Sequence, residues 1–136
     1  MIREFNSLIL IQASKLQYRI ADIAPNSFQD LKASSGLVIW SGESDKTIWN
    51  DKSVNWAFRA LHDALHLKTG IGFSPADEIE LGRIQAAQYD SRLMQDLVYI
   101  EVSGQAEHYL KTGRFVSDQI EFTCIELRKL GYSLKF

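Results

Sequence analysis

The fold is decided by residues 51–78, DKSVNWAFRALHDALHLKTGIGFSPADE, where a long amphipathic segment is followed by a turn and a second helix start. Apolar side chains recur there at spacings of three and four residues, the periodicity of one face of an α-helix. Asp51 or Ser53 is a suitable N-cap, and Gly70 is a suitable terminator after Lys68. A helix is therefore predicted between these ends. Its apolar positions are Val54, Phe58, Leu61 and Leu65.

A second helix is predicted to begin inside the same stretch. Ser74 is placed as its N-cap and Pro75 as its first residue, an order that suits the unpaired N–H groups of a helix start. The helical pattern continues to about Lys111 with a bend near residues 89–91, and Thr112 with the glycine after it breaks the pattern.

Three further helices are predicted in the parts of the chain before and after this stretch. They cover residues 3–20, a short segment that Asn26 or Ser27 caps and Gly36 ends, and a last segment that Ser117 caps and Gly131 ends after Leu130. The tail YSLKF is predicted to be an edge strand or a packed terminus.

Residues 37–40 and 47–49 are rich in β-prone side chains and flank a polar segment that contains Ser41 and Gly42. This arrangement predicts a small β-hairpin at about residues 37–49. Trp40 and Trp49 in this segment either close the core or form one wall of a cleft. The fold class is therefore mainly α, a compact helical domain with one small hairpin.

The composition is that of an ordinary water-soluble globular protein, with 46% hydrophobic and 24% charged residues in a chain of 136. That length suits a single domain spanning 1–136. A net charge of −2 makes nucleic acid an unlikely partner. The chain contains no apolar run of membrane-spanning length and no signal-peptide pattern, and Cys124 is its single cysteine. These features predict a cytoplasmic protein with no disulfide.

His62 and His66 are the residues in this chain that most resemble metal ligands. They stand four positions apart on the predicted helix, so both imidazoles lie at the edge of its apolar face. Two imidazoles at this spacing reach one divalent ion, as in zinc peptidase helices, although here Asp63 stands where those helices carry a glutamate. The alternative is a polar helix edge without a metal.

Further ligands must come from elsewhere in the chain. Glu101 and His108 share one face of the later helix with Gln105, and Glu78 lies in the first turn of the preceding helix. Gly82 on that helix would let another helix approach closely. Each acid has a simpler alternative: Glu78 complements the helix dipole, and the face that bears Glu101 and His108 is solvated.

Two residues beside the histidines are candidates for the chemistry itself. Asp63 is a candidate general base, and Arg59, one turn earlier, is a candidate for holding an anionic substrate. A surface ion pair between the two side chains is the competing interpretation. Glu78 is a further candidate for this general base if it is not a ligand.

Several other chemistries fit poorly. A His-Asp phosphohydrolase needs a histidine upstream of His62, and a diiron bundle needs Glu-x-x-His pairs, which are absent. The segment KTGIG is too short for a phosphate-binding loop, and no serine lies in a nucleophile-elbow pattern.

Residues 41–88 resemble small, largely uncharacterised proteins encoded by bacteriophages and mobile elements. The shared pattern is a helix with aromatic-Arg-Ala-x-His-Asp-x-x-His, then a Phe-Ser turn, a glutamate and a glutamine about seven residues on. The resemblance implies a protein made inside an infected bacterium and favours a metal site, but it implies no established reaction. The positions are Phe58, Arg59, Ala60, His62, Asp63, His66, Phe73, Ser74, Glu78 and Gln85.

Two functions from different classes follow from these patterns. The first is a metal-dependent hydrolase that acts on a phosphate ester or peptide, with Zn²⁺, Mn²⁺, Fe²⁺ or Ni²⁺ bound by the histidines and carboxylates. The second is a non-catalytic phage interaction protein that binds a host protein and uses the His/Glu cluster structurally. An open ligand position would indicate the first function, and a closed site the second. The sequence leaves the oligomeric state undetermined.

Overall fold

The computed structural model describes residues 2–133 and divides the chain into two compact units, residues 1–72 and residues 73–136. The prediction of one domain over 1–136 stays a prediction. The mainly α fold class is confirmed, because helices make up half of the first unit and most of the second, and the two strands are only four residues each. None of the helices in residues 2–133 combines the length and the hydropathy that a membrane-spanning helix requires.

The first unit contains three helices and two short strands. The helix caps are those expected from the local sequence: the side chain of Ser27 accepts a hydrogen bond from the N–H of Asp30, and the side chain of Asp51 accepts one from the N–H of Ser53. Gly70 ends the longest helix in a left-handed conformation, with φ of 75°. The elements are α1 (Ile2–Ala13), β1 (Tyr18–Ala21), α2 (Phe28–Ala33), β2 (Leu37–Trp40) and α3 (Lys52–Thr69).

The two strands pair in parallel, so the predicted hairpin at about residues 37–49 is wrong. β2 lies where the sequence placed its first strand, but its partner is β1, with Tyr18 opposite Leu37. Helix α2 supplies the crossover that a parallel pair requires. The predicted helix over residues 3–20 is wrong at its end for the same reason, since α1 stops at Ala13 and the next residues form β1.

The segment after β2 cannot turn back as a strand because side chains of α3 hold it. Trp56 donates its indole N–H to the carbonyl of Ser41 at 3.3 Å, and the Asn55 amide donates to the hydroxyl of Ser44 at 2.9 Å. The Trp49 ring is buried against Phe58, with the ring centroids 5.0 Å apart. Trp49 therefore closes the core, which was one of the two roles proposed for it.

Buried side chains from the three helices, from β2 and from the segment after it form the core of the first unit. Helix α3 provides the longest buried face and packs against α1, α2 and β2. Burial of such aliphatic side chains is worth about 1.5–3 kcal/mol each, which makes this face the main stabilising feature of the unit. The core includes Ile9, Ala13, Leu31, Ile39, Ile48, Val54, Ala57 and Ala60.

In the described part of the second unit all regular elements are helices, and short irregular segments connect them. Ser74 caps its first helix by accepting a hydrogen bond from the N–H of Asp77, and Pro75 is the first residue, both as predicted. The predicted bend near residues 89–91 is a full break, after which Ser91 caps the next helix. The elements are α4 (Pro75–Ala86), α5 (Arg92–Tyr99), a π-helical turn (Ile100–Gly104), α6 (Gln105–Thr112) and α7 (Gln119–Lys129).

The π-helical turn packs directly on α4 at Gly82. A Cβ atom at Gly82 would lie 2.0 Å from the Ser103 hydroxyl oxygen, so only glycine fits. That hydroxyl donates to the carbonyl of Ile79 at 2.7 Å, which ties the two elements together. The predicted close approach of a helix at Gly82 is thereby confirmed.

The end of the chain follows the predicted helix closely. Asp118, not Ser117, caps α7, and its side chain accepts a hydrogen bond from the N–H of Glu121. The predicted arrangement of the tail YSLKF falls largely on residues 134–136, outside the described residues.

Candidate metal centre

The two histidines of α3 face each other through the nitrogens that would bind a metal. The Nε2 atoms of His62 and His66 are 3.0 Å apart. Their ring centroids are 4.6 Å apart and the ring planes are nearly perpendicular, at 85°. The contact follows from helix geometry, because residues four apart stand one above the other.

The environment of His66 identifies which of its nitrogens carries the proton. Its Nδ1 atom lies 2.8 Å from the carbonyl oxygen of Ile71. A carbonyl oxygen can only accept a hydrogen bond, so Nδ1 of the neutral ring is the donor and Nε2 presents a lone pair. The ring is also buried, with 1% of the residue exposed, and lies beside Phe28. His66 is therefore held in the tautomer that a metal ligand needs.

Glu78 joins the two histidines in a group that could hold a metal ion. Each of the three residues offers one ligand atom, and these atoms lie within 4.8 Å of one another. Glu78 lies in the first turn of α4, and its backbone N–H donates to the carbonyl of Ser74. Two imidazole nitrogens and one carboxylate oxygen are a donor set typical of catalytic zinc and of related divalent ions.

Glu101 was predicted as a ligand but is not a member of this group among the described residues. It lies in the π-helical turn, where its carboxylate accepts a hydrogen bond from the Thr123 hydroxyl at 2.7 Å. Burial raises the pKa of Glu101 to about 7, although hydrogen bonds from Thr123 and Gln105 oppose the change. This side chain therefore points inward, contrary to the solvated-face alternative.

His108 also lies outside the group within the described part of the chain. It is half-buried on α6, and its ring packs edge-on against Phe122 with the centroids 5.4 Å apart. That contact links α6 to α7 and gives this histidine a packing role.

Arg59 anchors the chain segment that follows β2. Its Nη1 donates to the carbonyl oxygens of Trp40 and Gly42, both at 2.6 Å, and the guanidinium lies 5.4 Å from the centroid of the Trp40 ring. Burial lowers the pKa of Arg59, while the negative charges of Glu43 and Asp63 oppose that change. The structure thus places the predicted anion-binding arginine among two backbone carbonyls and two acids.

Asp63 follows His62 directly on α3 and is half-buried. It attracts the guanidinium of Arg59, one turn earlier on the helix, as the ion-pair interpretation requires. Consecutive residues of a helix point in directions about 100° apart, so the place of Asp63 after His62 does not by itself bring its carboxylate to the imidazole. The general-base role of Asp63 stays a prediction.

Sequence reasoning missed two partners of the site residues, the Ile71 carbonyl and the Thr123 hydroxyl. The first had a visible signal: a left-handed glycine at position 70 turns the chain back toward the last helical turn, where His66 lies. The second had none, because Thr123 is 22 residues away from Glu101 in the chain.

In general, catalytic zinc sites keep a coordination position open beside three protein ligands, whereas structural sites are closed by four. No protein-family model, no curated protein sequence and no solved structure matches this chain.

Proposed function

We propose that this protein is a metal-dependent hydrolase whose divalent transition metal is held by His62, His66 and Glu78. The observation that carries the proposal is the 3.0 Å separation of the two Nε2 atoms. Two nitrogens bonded tetrahedrally to one ion at about 2.0–2.1 Å lie roughly 3.3 Å apart. The pair is at hydrogen-bond distance in this structure and would need to open by only a few tenths of an ångström to share an ion. The donor set is compatible with Zn²⁺, Mn²⁺, Fe²⁺ or Ni²⁺.

Residues of the chain would have the remaining roles in the reaction. An ion of this kind supplies Lewis acidity and an activated water. Asp63 is the acid that we assign to the general-base role, since Glu78 would be used as a ligand. The Ile71 carbonyl keeps the proton of His66 on Nδ1 and leaves Nε2 for the ion.

The charges around Arg59 limit the class of substrate that the site would bind. Glu43 and Asp63 already balance its guanidinium, and two carbonyl oxygens occupy its Nη1. A phosphate ester would find little uncompensated positive charge there, so a peptide or another uncharged acyl substrate is favoured over the phosphate ester. The resemblance to phage-encoded proteins supports action in the cytoplasm of an infected bacterium.

The alternative function is that of a non-catalytic phage protein that binds a host protein, with the His/Glu group serving structure. Exposed apolar side chains favour it: Phe115 is 84% exposed and Leu110 is 60% exposed at the end of α6. Exposed apolar surface of this kind often marks a protein contact.

Metal content of the untagged protein tests the proposal first. Elemental mass spectrometry should find about one equivalent of a transition metal, and His62→Ala/His66→Ala should remove it with the helical circular dichroism intact. His108→Ala is the matched control, because it removes the remaining histidine from outside the group and should keep the metal. Absence of bound metal in the wild type, even after incubation with Zn²⁺ and Mn²⁺, would contradict the proposal.

Catalysis is tested separately on the metal-loaded protein with peptide and phosphate-ester panels. We expect the metal-loaded protein to turn over a substrate and to lose this activity when a chelator removes the metal. Asp63→Asn should retain the metal while the rate falls by about 10²-fold or more. A fully loaded protein without turnover on any substrate would favour the interaction protein instead.

A further inference from the structure

Helices α3 and α6 end in the same four residues, Leu-Lys-Thr-Gly, at 67–70 and 110–113. In each copy the threonine hydroxyl donates to the carbonyl four residues earlier, at 2.8 Å for Thr69 and 2.9 Å for Thr112. Each hydroxyl also accepts a hydrogen bond from the N–H two residues later, at 3.2 Å and 3.1 Å. The two helix ends are therefore built alike.

The two copies differ in what stands four residues before the glycine. In the first copy it is His66, whose Nδ1 donates to the carbonyl of Ile71 just beyond the glycine. In the second copy it is Tyr109, and the carbonyl of Arg114 beyond the glycine accepts from the Thr112 hydroxyl at 3.2 Å. Of the two helix ends, only that of α3 has its capping segment hydrogen-bonded to an imidazole ring.

We propose that Thr69 is a positioning residue for the metal ligand His66. Its hydroxyl is anchored on the carbonyl of Leu65 and holds the N–H of Ile71. Ile71 is thereby fixed with its carbonyl oxygen toward His66, which keeps the imidazole proton on Nδ1 and the lone pair on Nε2. Residues that orient a metal ligand in this way commonly have a large effect on metal affinity, although they do not touch the metal.

The relevance of this chain of hydrogen bonds to metal binding rests on the proposed function. The hydrogen bonds themselves do not, because they lie within residues 65–71 and fix the His66 tautomer in the metal-free protein. This separation allows the failure of one idea to be distinguished from the failure of the other.

Three variants isolate the role of the hydroxyl. Thr69→Val removes it while keeping the shape of the side chain, and Thr69→Ser restores it. Thr112→Val is the matched control, because it deletes the equivalent two capping interactions, together with the contact to the Arg114 carbonyl, at a helix end that carries no imidazole on its cap. Both valine variants should lower the melting temperature by similar amounts, so a loss of stability alone cannot mimic the result.

The first measurement is ¹⁵N NMR of the histidine rings in metal-free protein, with His66 assigned by comparison with His62→Gln and His108→Gln. The Nδ1–H form of His66 is expected in the wild type, in Thr69→Ser and in Thr112→Val, and a mixture with the Nε2–H form is expected in Thr69→Val. The second measurement is Zn²⁺ titration, in which Thr69→Val should bind about 10-fold to 100-fold more weakly than the wild type and Thr112→Val should be unchanged.

An Nε2–H tautomer of His66 in the wild type would overturn the inference, as would a Thr69→Val variant with unchanged tautomer and affinity. Equal losses of affinity in Thr69→Val and Thr112→Val would also overturn it, since the effect would then be general destabilisation. If the tautomers behave as expected but the wild type binds no metal, the proposed function fails and the positioning of His66 by Thr69 stands.

Discussion

Burial changes the acidity of Glu101, a residue for which sequence analysis offered only a ligand or a solvated side chain. Its carboxyl group faces the Thr123 hydroxyl, and its pKa moves from 4.5 to about 7 because the charged form is poorly solvated. At neutral pH this residue therefore lies near the midpoint of its titration. Glu101 therefore makes folding stability depend on pH near neutrality.

The sign of that dependence follows from the direction of the shift. The folded protein binds the Glu101 proton more tightly than the unfolded chain does, so stability is highest below the unfolded pKa and falls as pH rises through about 7. The whole effect is at most about 3 kcal/mol, the energy of a shift of this size. Urea unfolding between pH 4.5 and pH 8 should show this decline in the wild type and a flatter profile in Glu101→Gln.

Thr123→Val provides the complementary test of the same group. The hydroxyl stabilises the Glu101 carboxylate, so its removal should raise the pKa further and move the decline in stability to higher pH. Carboxyl ¹³C shifts followed against pH measure the change directly. A Glu101 carboxyl that titrates near 4.5 in the wild type would contradict the burial seen here.

At the scale of elements, the contact between α4 and the π-helical turn leaves no room for a side chain at Gly82. Gly82→Ala would place a methyl group 2.8 Å from the backbone nitrogen of Ser103, and no rotamer change relieves a backbone clash. We expect a loss of roughly 1–3 kcal/mol, even though alanine is the better helix former. Thermal unfolding followed by circular dichroism would measure it.

Gly104→Ala is the matched control for that experiment. A Cβ atom at Gly104 would find its nearest neighbours at 3.6–3.7 Å, which is ordinary van der Waals contact. Its melting temperature should equal or slightly exceed that of the wild type. If Gly82→Ala were as stable as Gly104→Ala, the two elements could not lie as close as described.

Elements that depend on nearby residues were predictable, and those that depend on distant residues were not. The caps at Ser27, Asp51 and Ser74 join atoms two or three positions apart, and the His62–His66 contact joins atoms one turn apart. The pairing of β1 with β2 spans 19 residues, and periodicity carries no information about such partners. A hairpin was therefore predicted where a crossover forms.

For the candidate site, too, contacts between nearby residues were predictable and contacts between distant residues were not. Helical spacing was enough to select the two histidines, whereas selecting Glu78 over Glu101 and His108 required the fold. All three were plausible because acids and histidines on a helix face look alike in sequence whether they point inward or outward. The structure separates them by their surroundings, with Glu101 bound to Thr123 and His108 packed on Phe122.

At the scale of the whole molecule, a bound ion should be visible as thermal stability. An ion that binds only the folded state adds RT ln(1 + [L]/Kd), about 2.7 kcal/mol at a concentration 100-fold above Kd. For a chain of this length we expect the melting temperature to rise by roughly 5–10 °C. Scanning calorimetry with increasing Zn²⁺ or Mn²⁺ should show this rise in the wild type.

The same scan distinguishes specific from general effects of the ion. His62→Ala/His66→Ala should lose the rise, whereas His108→Ala should keep it. An equal rise in all three proteins would mean that the ion acts elsewhere on the chain, because the histidine pair would then contribute nothing.

The π-helical turn also has a consequence for the length of the chain. A continuous α-helix advances by about 100° per residue, and a π-turn accommodates one additional residue relative to that repeat. Removing a single residue from 100–104 would let α5 and α6 merge into one regular helix, and the face that α6 presents would stay nearly unchanged because the wide turn is what absorbs the extra residue. A single-residue deletion inside α4 or α7 has no wide turn to absorb it and would rotate the residues that follow by about 100°. Single-residue deletions within 100–104 should therefore be tolerated better than deletions in the middle of α4 or α7.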